Sequence, residues 1–115
     1  MVRTPADAER FLLRSTGSRI DGAGVRAYQA LFATPAHCDG AITMMADWDL
    51  ETLTRDLPRL ALPVRLLHGD RDAAIPIGSA RAAASLIPGA DLVTLSGGGH
   101  LAHEERAEEV AALIR

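Results

Sequence analysis

The periodicity of hydrophobic and polar positions changes near residue 60. Over residues 4–57 apolar side chains recur at helical spacing, and no alternating run suggests a strand. Phe11 and Leu12 sit among polar neighbours, Thr4-Pro5 has the chemistry of a helix start, and Thr16-Gly17-Ser18 that of a stop. A second helix is predicted over residues 25–32, with Tyr28, Leu31 and Phe32. Thr34-Pro35 opens a third that carries Ile42, Met44, Met45 and Trp48, and Asp49-Leu50 begins a short fourth.

Beyond Leu62-Pro63 the pattern breaks into short blocks. Val64-Arg65-Leu66-Leu67-His68-Gly69 reads as a buried strand ending in glycine. An alanine-rich helix over residues 76–87 stops at Pro88-Gly89. Ala90-Asp91-Leu92-Val93-Thr94-Leu95 is the next strand, closed by Ser96 and three glycines, and a final helix runs from about His103. Strand, helix, strand, helix with short connections is a βαβα unit with parallel strands. The expected class is therefore α/β, with a helical segment over residues 1–60 and a βαβα portion over residues 61–115. Two parallel strands leave an unpaired edge each, and parallel sheets are normally covered on both faces. The expectation is thus a single, incomplete domain whose last helix lacks a C-terminal cap.

Composition narrows the function. A length of 115 residues allows one domain at most. With 12 basic against 15 acidic residues the net charge is -3, which argues against nucleic acid as a partner. All the basic residues are arginine, so a P-loop lysine, a Schiff-base lysine and a lysine general base are excluded. Cys38 is the single cysteine; it can form neither an internal disulfide nor a thiolate cluster, and a reducing cytoplasm suits it. No apolar run approaches the roughly 20 residues of a transmembrane helix, and Arg3, Asp7, Glu9 and Arg10 interrupt any signal-peptide core.

Two residues could carry chemistry together. Asp72 follows the first strand in Gly69-Asp70-Arg71-Asp72, and His100 follows the second in Gly97-Gly98-Gly99-His100, so both belong to the carboxyl edge, where ligands collect in parallel sheets. An aspartate that accepts from one imidazole nitrogen fixes the tautomer and frees the other nitrogen to take a proton from a nucleophile. The plainer alternative makes Asp72 a turn residue and His100 an incidental residue at a helix start. His100 and His103, three apart, could share a helix face toward zinc, but a third ligand is lacking. His68 reads as packed, His103 as a residue of the helix N-terminus or behind the site, and Glu104, Glu105, Glu108 and Glu109 as a solvated helix face. The glycines before His100 match neither a dinucleotide fingerprint nor a phosphate loop, and no cofactor is called for.

Gly69, Asp72 and Pro76, followed by Gly99-His100, resemble the G-x-x-D-x-x-x-P and G-H segments of the last two strands of an α/β-hydrolase. Gly17-Ser18-Arg19-Ile20-Asp21, Met44-Met45-Ala46-Asp47-Trp48-Asp49-Leu50 and Gly99-His100-Leu101-Ala102-His103-Glu104-Glu105 further resemble the magnesium chelatase accessory α/β-hydrolases of bacteriochlorophyll synthesis. The resemblance spans nearly the whole chain. It implies the C-terminal part of an α/β-hydrolase fold, with residues 1–60 as the helical cap and residues 61–115 as core. It implies Asp72 as triad acid, His100 as general base, and a serine nucleophile on a G-x-S-x-G elbow. Ser15, Ser18, Ser79, Ser85 and Ser96 are the only serines, and none lies on such an elbow. The expectation is that an N-terminal half supplies the nucleophile and that this chain alone is inactive.

Met44, Met45 and Trp48 are candidates for a substrate-binding wall able to meet a flat tetrapyrrole, the alternative being ordinary packing at helical spacing. The resemblance also allows a non-catalytic role, binding a tetrapyrrole or a magnesium chelatase subunit. A general ester, epoxide or haloalkane hydrolase is the third possibility.

Overall fold

Thr4, Asp21 and Asp49 each cap the start of a helix with a side-chain oxygen. The computed structural model describes residues 2–114. In α1 (Pro5–Thr16) the Thr4 hydroxyl accepts from Asp7 N at 3.1 Å and the Asp7 carboxylate accepts from Thr4 N at 2.9 Å, a reciprocal cap that satisfies two helix-end donors. Gly17 ends this helix in the left-handed conformation, φ +71°. Asp21 caps α2 (Gly22–Phe32) by accepting from Gly24 N at 2.7 Å. The first two helices bury Ala8, Leu12 and Val25, and Phe11 meets Phe32 edge-on with ring centroids 5.1 Å apart.

The next two helices, α3 (Pro35–Ala46) and α4 (Leu50–Asp56), bury no residue among those described. A 3-10 turn, Leu57–Arg59, leads to the sheet. Trp48 falls outside the third helix, which stops at Ala46. Asp47 N reaches back to Thr43 O, and Asp49 caps the fourth helix through Thr52 N, so Trp48 sits in the connection between two caps.

Strands β1 (Arg65–Gly69) and β2 (Asp91–Leu95) pair in parallel, Arg65 opposite Asp91 and Gly69 opposite Leu95, with α5 (Ile77–Leu86) between them in sequence. The α/β class and the βαβα order are as the sequence predicts. Arg65 joins Asp91 at 2.8 Å and donates to Leu113 O at 2.7 Å, fastening the final helix to the start of the sheet. That helix is broken. It forms α6 (Ala102–Glu105) and α7 (Ala107–Ile114), separated at Arg106 with φ -141°. The break leaves Glu105 free to reach the loops of the site while Val110 enters the core with Leu95 and Ala102, backed by Leu67 and Leu113.

The radius of gyration is 15.9 Å, against about 13 Å for a compact domain of this size. The excess comes with apolar side chains left on the surface of the third and fourth helices and their connection: Ile42, Met44, Met45, Trp48, Leu50 and Leu53 are all exposed. No helix among the described residues is long and apolar enough to cross a membrane.

Candidate active site

Parallel pairing brings the two strand ends, Gly69 and Leu95, side by side, so the loops that follow them touch. Arg71 N donates to Gly98 O at 2.9 Å, and Gly97 N donates to Asp70 Oδ1 at 2.6 Å. Asp72 and His100 thereby meet. His100 Nδ1 lies 2.8 Å from Asp72 Oδ2, while Asp72 Oδ1 accepts from Ala74 N and Ile75 N, both at 2.8 Å. The Asp72 side chain is 5% exposed and that of His100 43%.

Burial works to raise the Asp72 pKa, but the hydrogen bonds from Ile75, His100 and Ala74 outweigh it and hold the carboxyl below its ordinary value. Asp72 is therefore ionised at neutral pH. A carboxylate can only accept, so the proton of the shared bond sits on His100 Nδ1, and in the neutral ring the Nε2 lone pair is free. An imidazole in that tautomer can take a proton from a hydroxyl and later return it.

A carboxyl whose pKa is lowered by folding contributes stability above its unfolded value, near 4, and that contribution disappears as pH falls through the lower folded value. Asp7 and Asp49 are lowered as well, by hydrogen bonds from Thr4 and Thr52. Unfolding free energy measured by urea titration is expected to decline below about pH 4, and Asp72→Asn to flatten part of that decline.

The turn after the first helix is threaded between the two loops. Thr16 O accepts from His100 N at 2.8 Å and from Ala73 N at 3.3 Å, so one carbonyl ties both halves of the pair. Glu105 fixes the same turn from the other side. Its Oε2 accepts from Gly99 N at 2.8 Å and from the Ser18 hydroxyl at 3.2 Å, and its Oε1 accepts from Arg19 N at 2.7 Å. Ser18, 2% exposed, accepts in turn from Leu101 N at 2.8 Å. The fit is close at Gly99, where an added Cβ would run into the Ser18 hydroxyl and the Gly17 backbone.

Glu104 accepts from the Tyr28 hydroxyl at 2.6 Å; burial first, and then this carboxylate, push the phenol up to about 12. Glu105, half-buried, thus departs from the solvated face that its helix position suggests, while Glu104 stays exposed with its hydrogen bond to Tyr28. They connect α6 to the second helix and to the turn after the first. Glu105→Ala leaves the N–H groups of Gly99 and Arg19 and the Ser18 hydroxyl without this acceptor. It is expected to cost about 2 kcal/mol in urea unfolding, where an exposed glutamate would cost nothing measurable.

An open cavity of about 250 Å³ adjoins the pair, walled by His68, Asp72, His100 and His103 over apolar Leu67 and Leu95. His103 Nε2 comes to 3.6 Å from Glu104 Oε1. His68 is packed, as its strand position suggests. Met44, Met45 and Trp48 do not line this cavity; they lie on the exposed surface of the third helix and the connection after it. Among the described residues no group of three or more His, Cys, Asp or Glu side chains is arranged to hold a metal.

A helix-covered parallel pair of strands, with an Asp–His couple at its carboxyl edge, is the C-terminal architecture of an α/β-hydrolase. Residues 2–113 match the alpha/beta hydrolase family, and the chain belongs to that family. It is 46% identical over 116 residues to the magnesium-chelatase 30 kDa subunit of Rhodobacter capsulatus, covering 99% of this chain and 40% of that protein. It is 31% identical over 106 residues to the pimeloyl-[acyl-carrier protein] methyl ester esterase of Xanthomonas axonopodis pv. citri, covering 92% of this chain and 38% of the esterase. The fold matches the crystal structure of a bacterial membrane phospholipase A with a TM-score of 0.72 at 23% identity, over 98% of this chain and 37% of that one. The chain spans about two fifths of the length of these relatives.

Proposed function

We propose that this chain supplies the acid and the base of a Ser-His-Asp acyl hydrolase, and that the protein carrying it serves magnesium chelatase in bacteriochlorophyll synthesis. The observation that carries the reading is the 2.8 Å bond between His100 Nδ1 and a buried, ionised Asp72. Similarity to the chelatase subunit of Rhodobacter capsulatus supports the chelatase assignment, and similarity to the Xanthomonas esterase supports acyl chemistry.

In this mechanism His100 Nε2 takes the proton of a serine on an elbow outside these 115 residues as that oxygen attacks an ester or amide carbonyl. His100 then protonates the leaving group, afterwards takes the proton of the water that attacks the acyl carbonyl, and returns it to the serine oxygen as the acyl group departs. Asp72 stabilises the imidazolium formed at each step. Ser18 is unsuited to be the nucleophile because its buried oxygen is already engaged by Leu101 and Glu105. Residues 1–60 act as the cap, with residues 61–115 as the end of the core. A cytoplasmic setting belongs to the same proposal, supported by the lone unpaired Cys38.

The full-length protein is expected to hydrolyse short activated esters such as 4-nitrophenyl acetate, at a rate lost on Asp72→Asn. Turnover that is absent, or unaffected by that change, refutes the catalytic reading.

The exposed apolar side chains of Met44, Met45, Trp48, Leu50 and Leu53, close together in sequence, favour one further reading, a non-catalytic surface for a tetrapyrrole or a chelatase subunit. A cavity of about 350 Å³ lies against Trp48, Asp49, Leu50 and Leu53. Protoporphyrin binding there should quench the fluorescence of Trp48, and Leu53→Ala should weaken the quenching. Unchanged emission at saturating porphyrin rules that site out.

A further inference from the structure

The first strand places a second imidazole beside the Asp–His pair. The His68 side chain is 10% exposed, and its Nε2 is buried without a hydrogen-bond partner, 3.8 Å from Asp72 Oδ2. That oxygen is the one His100 uses at 2.8 Å; Asp72 Oδ1 is already taken by Ala74 N and Ile75 N. A carboxylate oxygen has two lone-pair directions, so Oδ2 can accept a second donor. If the His68 proton sat on Nδ1, a bare Nε2 lone pair would face a negative oxygen inside a largely apolar wall. With the proton on Nε2, a shift of about 1 Å completes a hydrogen bond. The other ionisable groups facing the cavity are His100 and His103; its remaining walls, from Leu67 and Leu95 on the strands to Ala102 and Val110 on the last two helices, carry no charge.

We propose that His68 is a positioning residue of the pair, an Nε2–H donor that shares Asp72 Oδ2 with His100 and so limits how strongly Asp72 stabilises protonated His100. The proposal rests on the catalytic reading for its kinetic consequence, though not for its structural one. Ala74 N and Ile75 N hold the carboxylate in place through Oδ1, and His68 draws off part of the charge that Oδ2 presents to His100. Without His68 the whole of Oδ2 serves His100 and the imidazolium is held more tightly. Activity needs neutral His100, so the acid limb of the pH profile must move upward.

The first test is the ring ¹⁵N spectrum of the full-length protein labelled in histidine, assigned with single variants. At neutral pH the account expects the His68 proton on Nε2, and a proton on Nδ1 overturns it whatever the catalytic outcome. The second test is the pH dependence of kcat/KM for His68→Leu, with folding verified by circular dichroism. The acid limb is expected to rise by about half a pH unit and to return toward that of the native protein in His68→Gln, which keeps a donor at the Nε2 position. An unmoved limb in a folded His68→Leu overturns the proposal. Ester turnover surviving His100→Ala would remove the catalytic reading, while the ¹⁵N result would still decide the place of the His68 proton.

Discussion

Replacing His100 by alanine in the full-length protein is expected to lower kcat/KM for an activated ester by about 10⁴-fold, or roughly 5.5 kcal/mol of transition-state stabilisation. The loss should fall on kcat, since KM reflects contacts made elsewhere in the protein. Stability should change by less than about 1 kcal/mol. The ring is 43% exposed and makes one hydrogen bond, to Asp72, whereas the contact holding the loop, His100 N to Thr16 O, belongs to the backbone and survives. The combination separates the proposed role from the alternative of an incidental loop residue, whose removal would leave kinetics and stability alike untouched.

The largest expected effect on folding is at Gly17, far from either catalytic side chain in sequence. Its φ of +71° lies in the left-handed region, and an added Cβ would collide with the carbonyl of Arg71, backbone that cannot rotate aside. Gly17→Ala is expected to cost about 3 kcal/mol or more, seen as a fall in the urea midpoint at unchanged slope. Because Arg71 adjoins Asp72, ester turnover should fall as well. Gly78→Ala is the control. Nothing lies within 4 Å of its missing Cβ, and it sits inside the fifth helix, so it is expected to be neutral or stabilising by about 0.5–1 kcal/mol. Equal midpoints for the two variants would show that the turn after the first helix does not hold the site.

Gly17 also marks where the sequence stops being legible. Thr4, Pro5 and Asp7 announce the first helix, because capping needs partners only three or four residues apart. The strands were readable from short apolar blocks between turns. Asp72 and His100 were readable because parallel strands must end on one edge. Ser18 and Glu105 were not. They are 87 residues apart, and one sits in a helix stop while the other sits in an acidic run that has the pattern of a solvated face. Only folding shows that Glu105 accepts from Gly99 N and Arg19 N. The break at Arg106 was hidden for the same reason, since the local residues favour a continuous helix and the departure accompanies a long-range bond. Trp48 had a local clue in Asp47-Trp48-Asp49, where the second aspartate starts a new helix as its cap. For Met44, Met45 and Trp48 a helical apolar pattern says that a face exists, not what it meets.

The most direct measurement of the central claim is covalent labelling of the full-length protein by a fluorophosphonate, which reacts only with a serine activated by a neighbouring base. The account predicts one labelled serine per molecule, outside these 115 residues, and labelling abolished by His100→Ala in protein that remains folded. A folded native protein that takes up no label, or one labelled equally with and without His100, would contradict the assignment of Asp72 and His100 as the acid and base of a serine hydrolase.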